Sequence, residues 1–189
     1  MDSLTLILIL PLLGAILLFF SPKNYATLSL LHVAVSAVTS LALLFNVTKV
    51  LSGGTFYAHD KFLFLDSLGC VFLVLIAVTG FLVNLYATHY MKWELEEGHI
   101  NLDALRKYYA LSHVFIFTMT LSVICNNVAF MCAAIEATTL SSVFLVAILK
   151  DQKSTESGYK YIVLCSIGLA FALYATVLLY SATFAEIKD

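Results

Sequence analysis

The stretch that decides the fold is residues 131–143, Met-Cys-Ala-Ala-Ile-Glu-Ala-Thr-Thr-Leu-Ser-Ser-Val, in which Glu136 is the one carboxylate. It lies in an apolar run from Val128 to Leu149, which is long enough for a helix that crosses a bilayer. At ~1.5 Å per residue, Glu136 lies roughly 13 Å from the Asn127 end, close to the membrane midplane. An ionisable group there costs at least ~2.5 kcal/mol to insert, so Glu136 is predicted to face protein or water and to serve as a proton or ion site.

The rest of the composition places the chain in the same class. Of its 189 residues, 61% are hydrophobic and 12% are charged, and the mean hydropathy is +0.97. The predicted fold is therefore an all-α polytopic membrane protein with about six transmembrane helices in the lipid bilayer, because the apolar segments are too long for barrel strands. These segments are Leu4–Phe20, Tyr25–Leu51, Phe64–Met91, Tyr108–Cys125, Val128–Leu149 and Tyr159–Phe184.

The charge and the positions of the cysteines exclude several classes of function. The net charge of -2 and the pI of about 6.2 offer no basic surface for nucleic acid. The four cysteines stand singly in apolar segments, so we expect small core residues and no cofactor, neither an iron–sulfur cluster nor zinc. The polar segment 94–107, with His99 and three glutamates, is interpreted as a solvated loop rather than a metal site. Met1-Asp2-Ser3 lacks the basic region of a cleavable signal peptide, so the first segment is expected to remain a membrane helix.

Polar side chains inside the predicted helices have two readings each. His32, Ser36, Thr39 and Ser40 of the second helix either hold helices together or line a wet path. Asp66, at the start of the third helix, is expected to have a structural role against the helix dipole.

The surroundings of Glu136 can be sketched from the turns. The short turn Cys125-Asn126-Asn127 makes the fourth and fifth helices antiparallel neighbours, so His113 lies on the helix adjoining that of Glu136. His113 and His32 are each either a relay step or a satisfied core histidine. Lys160 is expected near the cytoplasmic interface, ~20 Å along the membrane normal from Glu136. It is therefore excluded as a direct ion-pair partner, and it either couples through water or snorkels beside Glu156.

The orientation follows from the lysines and arginines of alternate loops. One side carries seven and the other three, so the first is predicted to be cytoplasmic and both termini to lie outside. The seven are Lys23, Lys92, Arg106, Lys107, Lys150, Lys153 and Lys160, and the three are Lys49, Lys61 and Lys188.

Three blocks of sequence resemble a known family. They are Ala134-Ile135-Glu136-Ala137-Thr138-Thr139-Leu140-Ser141-Ser142, Glu156-Ser157-Gly158-Tyr159-Lys160-Tyr161 and Cys165-Ser166-Ile167-Gly168. With weaker likeness at 64–68 and 84–91, the chain resembles the antiporter-like membrane subunits of respiratory complex I and its relatives. The likeness is greatest to hydrogenase-4 component F and to the corresponding subunits of formate hydrogenlyase-type complexes.

The resemblance implies a proton-translocating subunit of the inner (plasma) membrane that is not catalytic alone. Its partners would be other membrane and redox subunits of a hydrogenase or NADH dehydrogenase-type assembly, and electron transfer in that assembly would drive the proton. The resemblance also implies that Glu136 is the protonatable centre. Lys160 and His113, considered above as relay steps, complete the predicted proton path. In that family, the matched carboxylate pairs with a lysine on a broken seventh helix, and the core consists of two inverted five-helix repeats.

The chain stops short of that family's core. Residues 1–107 are expected to form three N-terminal transmembrane helices and a cytoplasmic loop, and residues 108–189 the first three helices of a truncated antiporter-like repeat. Either another chain supplies the missing helices, or the gene is a remnant, or this is an accessory subunit with no proton path of its own.

Overall fold

The chain forms a bundle of six long helices with one small hairpin, in a computed structural model that describes residues 3–22, 24–58, 62–149 and 152–186. All six helices are long and apolar enough to cross a membrane, which confirms the all-α, multi-pass prediction. The elements are α1 (Ser3–Phe20), α2 (Tyr25–Gly53), β1 (Phe56–Ala58), β2 (Leu63–Leu65), α3 (Ser67–Glu96), α4 (Leu102–Ile124), α5 (Val128–Val146), a 3-10 turn (Ala147–Leu149) and α6 (Gln152–Glu186).

Side-chain caps set where four of the helices begin. Asn24, Asn101 and Asn127 each accept a hydrogen bond from a backbone N–H in the first turn of α2, α4 and α5. Asp66 does the same for α3, with its Oδ1 2.7 Å from the backbone nitrogen of Gly69. Such caps satisfy N–H groups that have no partner within the helix. The structural role predicted for Asp66 is therefore what the geometry shows.

Three helices extend beyond the predicted apolar segments. α3 continues to Glu96, α4 begins at Leu102 rather than Tyr108, and α6 begins at Gln152 rather than Tyr159. The predicted loop 94–107 is thus mostly helical, with a turn at Gly98, whose φ is +76°. Apolar composition marks only the part of a helix that fits the bilayer, and the caps decide where the helix itself ends.

The hairpin was not predicted. The predicted segments end at Leu51 and resume at Phe64 as the third helix, but β1 and β2 lie here and pair antiparallel with Phe56 opposite Leu65. Strands of three residues are too short to give an alternating pattern. β2 also forms a bridge from Leu63 to Cys125, and the backbone nitrogen of Asn126 donates to the carbonyl of Phe62 at 2.9 Å.

The packing is uneven along the chain. α1 packs on α2 and α4, α2 packs on α3, and α4 packs on α3 and α5, whereas α6 packs mainly on α5. Buried side chains form two clusters, one around Leu43 and Leu73 and one around Leu105 and Tyr109. The most apolar 18-residue stretch of α6 contains no buried residue. Within the described residues, α6 therefore has one helical neighbour.

The cysteines agree with the core interpretation in part. Cys70 and Cys132 are buried, whereas Cys125 and Cys165 are partly exposed. The prediction of a core position is therefore wrong for the last two, which lie at the end of α4 and on the thinly covered α6. The predicted positive charges Lys23, Lys61, Lys150 and Lys188 lie outside the described residues.

Candidate functional sites

Glu136 lies in the middle of α5. Eight residues separate it from Val128 and ten from Val146, which places it roughly 12 Å from the start and 15 Å from the end of the helix. Its side chain is half-buried and meets α6, where the hydroxyl of Ser166 donates to Oε1 at 2.7 Å. The carboxylate therefore lies at the boundary between two helices, far from either helix end.

A second hydroxyl supports the same carboxylate from its own helix. Thr139 Oγ1 donates to the backbone carbonyl of Glu136 at 2.7 Å and lies 3.4 Å from Oε2. Hydroxyl groups both donate and accept, so they can solvate either the ionised or the protonated carboxyl. In the part of the chain that the structure describes, the hydrogen bonds to this carboxyl group come from hydroxyls and not from a basic side chain.

Lys160 pairs with another carboxylate. Its Nζ lies 2.5 Å from Oε1 of Glu156, one turn earlier on α6, and the two side chains are 74% and 64% exposed. α6 begins at Gln152, so Lys160 lies eight residues inside the helix. The predicted segment, which begins at Tyr159, had placed Lys160 at the start of that helix. Lys160 is six residues, or ~9 Å along the axis, from Ser166, the residue that contacts Glu136. The axial gap to the carboxylate is thus shorter than the predicted ~20 Å, yet the amine is directed to Glu156.

His113 belongs to a different cluster. It is fully buried on α4, and its Nε2 lies 3.2 Å from Nδ1 of His32 on α2. The ring of His32 stacks on Tyr109, with centroids 4.1 Å apart and an angle of 11° between the planes. The structure therefore brings His113 and His32 together, and it brings Glu136 together with Ser166. Among the described residues, Glu136, His113 and Lys160 do not hydrogen-bond to one another.

Further polar groups join α2 to α3 beside the histidines. Asn84 Nδ2 donates to Ser36 Oγ at 3.1 Å, one helical turn from His32, and both side chains are buried. Ser40 Oγ donates to the carbonyl of Ala77 at 3.0 Å. Ser40 thus fits the helix-joining interpretation, while Ser36 belongs to a buried polar row that also contains His32 and Thr39.

The turn between α3 and α4 holds a buried carboxylate where a solvated loop was predicted. The side chain of Glu94 is 7% exposed, and its Oε2 lies 2.9 Å from Nδ1 of His99. Its backbone carbonyl also accepts from the nitrogen of His99 at 3.1 Å. The prediction is wrong for Glu94 because α3 continues past the apolar segment and carries this residue into the packed base of α4.

Three members of these clusters were missed from the sequence. Ser166 lies inside a quoted block without being assigned a role, and Asn84 is a lone amide within an apolar segment, which is a usable signal. Aromatic residues are common near membrane interfaces, and nothing in the sequence around Tyr109 indicates that its ring is fully buried.

The chain is similar to membrane subunits of known respiratory proteins over most of its length. Residues 54–99 match the family model described as NADH-ubiquinone oxidoreductase (complex I), chain 5 N-terminus. The chain is 32% identical to the hydrogenase-4 component F homolog of Methylacidiphilum infernorum, over 94% of this chain and 36% of that protein. It is 28% identical to NADH-quinone oxidoreductase subunit L of Escherichia coli, over 96% of this chain and 31% of that protein.

A solved structure shares the fold. A chain of the membrane-bound sulfane sulfur reductase, an archaeal respiratory membrane complex, superimposes with a TM-score of 0.74 at 21% identity. The match covers 96% of this chain and 38% of that one. The present chain therefore spans about a third of the length of the proteins it matches.

Proposed function

From its similarity to antiporter-like membrane subunits of complex I-like and hydrogenase-type respiratory complexes, we propose that the chain forms part of a proton path, with Glu136 as its protonatable centre. The observation that carries the proposal is the position of this carboxyl group. It lies midway along a membrane-spanning helix and is hydrogen-bonded to Ser166 of the next helix. A carboxyl group held inside the membrane by neutral hydroxyls can gain and lose a proton without breaking an ion pair.

His113 and Lys160 are the proposed relay positions on either side of this centre. Counted from the α4–α5 turn, His113 lies 11 residues before Ile124 and Glu136 eight residues after Val128, so their depths differ by only ~5 Å. Lys160 lies about two turns from Ser166 on α6, and release of Glu156 would free its amine. These depths support a path that runs across the bundle near the membrane midplane.

The orientation proposal places both termini outside. The excess of Lys and Arg on the side of the α1–α2, α3–α4 and α5–α6 connections supports a cytoplasmic location for those connections. The relatives support the inner (plasma) membrane as the site of the complex.

The proposed partners are other membrane subunits and the redox subunits of a respiratory assembly. The most apolar stretch of α6 contains no buried residue, and the relatives are about three times longer than this chain. These facts support further helices against α6, supplied by a longer chain or by a second one. Residues 108–186 would then be the first helices of an antiporter-like repeat, and residues 1–107 the helices that precede it.

Replacing the carboxyl group by an amide tests the proposal. In proteoliposomes containing the assembled complex, Glu136→Gln should lower proton translocation at least tenfold, because the amide keeps the shape but cannot exchange a proton. Glu96→Gln is the matched control, since that side chain is 65% exposed and pairs with Lys92, one turn earlier on its own helix. It should leave translocation unchanged.

The measurement is internal acidification per electron transferred. Full translocation by Glu136→Gln would contradict the proposal and leave the chain a structural membrane subunit. The exposed Lys160–Glu156 pair is the observation that favours this second candidate, because it holds the amine of Lys160 to a carboxylate other than Glu136.

A further inference from the structure

The histidine pair between α2 and α4 has an arrangement suited to passing a proton. Nδ1 of His32 faces Nε2 of His113 at 3.2 Å, which is a hydrogen-bonding distance between two imidazole rings. The other two ring nitrogens, Nε2 of His32 and Nδ1 of His113, are buried and have no hydrogen-bond partner among the described residues. The four nitrogens thus form a series with one shared proton at its centre and one free nitrogen at each end.

Complete burial makes those free nitrogens unusual. Both histidines are 0% exposed, and the hydroxyl groups of Tyr109 and Thr39 are also buried without a partner among the described residues. A buried polar atom without a partner costs roughly 1–3 kcal/mol. Buried polar atoms are usually hydrogen-bonded, so these two ring nitrogens are positions at which a further proton donor or acceptor can bind.

The charges around the pair are few. α4 contributes Tyr109, whose ring stacks on His32, and Tyr108 and Tyr25 lie close to Tyr109. α3 contributes Asn84, bonded to Ser36 one turn from His32, so that neighbour is neutral. Within the described residues, the ion pairs and hydrogen bonds of the carboxylates and lysines all lie elsewhere. A lasting positive charge would be costly in such a site, so the site favours transfer of a proton over storage of one.

We propose that His113 acts as a relay together with His32, and that the two rings conduct a proton by exchange of their tautomers. A proton binds Nε2 of His32, the proton on Nδ1 of His32 moves to Nε2 of His113, and Nδ1 of His113 releases its proton. One proton enters and one leaves, the pair stays neutral before and after, and each ring has changed tautomer. Transfer in the opposite direction restores the first tautomers. A second transfer in the same direction requires both rings to rotate, so that the protonated nitrogen of His32 again faces an unprotonated nitrogen of His113.

Buried polar side chains on α2 indicate how the proposed proton route continues from His32. Ser36 and Thr39 follow His32 on the same face, and Thr39 is ~10 Å further along the helix axis. Hydroxyl groups can donate and accept at once, so they can extend a path of hydrogen bonds. The proposal deepens the proposed function and rests on proton translocation by the assembled complex, but it concerns different helices from those of Glu136.

Two substitutions separate conduction from structure. The amide nitrogen of Asn occupies the place of Nδ1, and that of Gln the place of Nε2, so His32→Asn and His113→Gln can each keep the central hydrogen bond. Neither amide can pass a proton. Each variant should lower proton translocation by the assembled complex at least fivefold, and the double variant should lose no more than the single ones because the two act in series. His89→Gln, at an exposed histidine of α3, is the control and should retain full translocation.

Nitrogen-15 NMR of the complex with labelled histidine gives a readout that does not depend on pumping. The pair should show exchange between two tautomers, and the exchange should disappear in both variants. Full translocation by His32→Asn and His113→Gln, or one fixed tautomer on each ring, would overturn the proposal. Loss of pumping in Glu136→Gln together with either of these results would reject the histidine site while leaving the proposed function intact. If Glu136→Gln pumps normally, the NMR result alone decides the histidine site.

Discussion

The two candidate proton sites differ in what encloses them. His32 and His113 lie among α2, α3 and α4, where each helix has at least two neighbours, and both are fully buried. Glu136 lies between α5 and α6, where α6 packs mainly on α5 and has no buried residue in its most apolar stretch. Helices of this chain enclose the histidine site, whereas the Glu136 site is bounded on one side by α6, which is thinly covered by the described residues. Substitutions in the two regions should therefore behave differently.

The largest difference is expected from removing an aromatic ring in each region. Tyr109→Ala removes a fully buried ring that packs on His32 and should destabilise the chain by about 3 kcal/mol through the cavity that remains. Tyr174→Ala removes a ring on α6 that is 63% exposed and should leave stability nearly unchanged. Unfolding of the purified chain in mixed detergent and SDS measures both. Equal losses would contradict the contrast between the regions.

A smaller contrast is expected between two glycines. An added Cβ at Gly14 would overlap the side chain of Val35, so Gly14→Ala should force α1 from α2 and cost about 1–3 kcal/mol. At Gly168 on α6 nothing lies within 4 Å of such an atom. Gly168→Ala should therefore stabilise the chain by roughly 0.5–1 kcal/mol, as alanine does inside a helix.

Gly168→Ala also tests whether a further helix packs on α6 in the assembled complex. If a further helix packs closely on α6, Gly168→Ala should reduce the yield of intact complex while the chain itself remains stable. Blue native electrophoresis beside the unfolding assay distinguishes these results. An unchanged yield would mean that this face of α6 has no close neighbour.

The smallest effect is expected at Lys160. Exposed pairs one turn apart contribute little to stability, so Lys160→Gln should leave the midpoint of unfolding unchanged. If Lys160 is a relay, proton translocation should fall several-fold in the same variant. Unchanged translocation would restrict the role of Lys160 to its pair with Glu156.

The sequence was sufficient for features that depend on counting residues along the chain. Helix number follows from the lengths of apolar segments, the depth of Glu136 follows from the rise per residue, and the pairing of α4 with α5 follows from their three-residue turn. The contact between His32 and His113 could not be predicted in this way. It depends on how α2 and α4 are rotated about their axes, and helices that are apolar on all sides carry no stripe that sets the rotation.

The sequence also could not reveal which hydroxyl meets Glu136. Ser166 is one of several small polar residues on α5 and α6, and only the crossing of the two helices selects it. The hairpin was missed for a different reason, since β1 and β2 are three residues each and are held by pairing across the chain and not by local preference.

The hairpin also fixes one end of the helix that carries Glu136. β2 joins the α4–α5 turn through the bridge to Cys125 and the hydrogen bond from Asn126, and Phe62 packs edge-on against Phe130 of α5 with ring centroids 5.1 Å apart. The other end of α5 passes into a single 3-10 turn. Because α5 is anchored at the hairpin end, a tilt of about 10° about that end would displace Glu136, ~12 Å away, by roughly 2 Å. A displacement of that size is enough to break a hydrogen bond of 2.7 Å, so the contact between Glu136 and Ser166 depends on how the hairpin anchors α5.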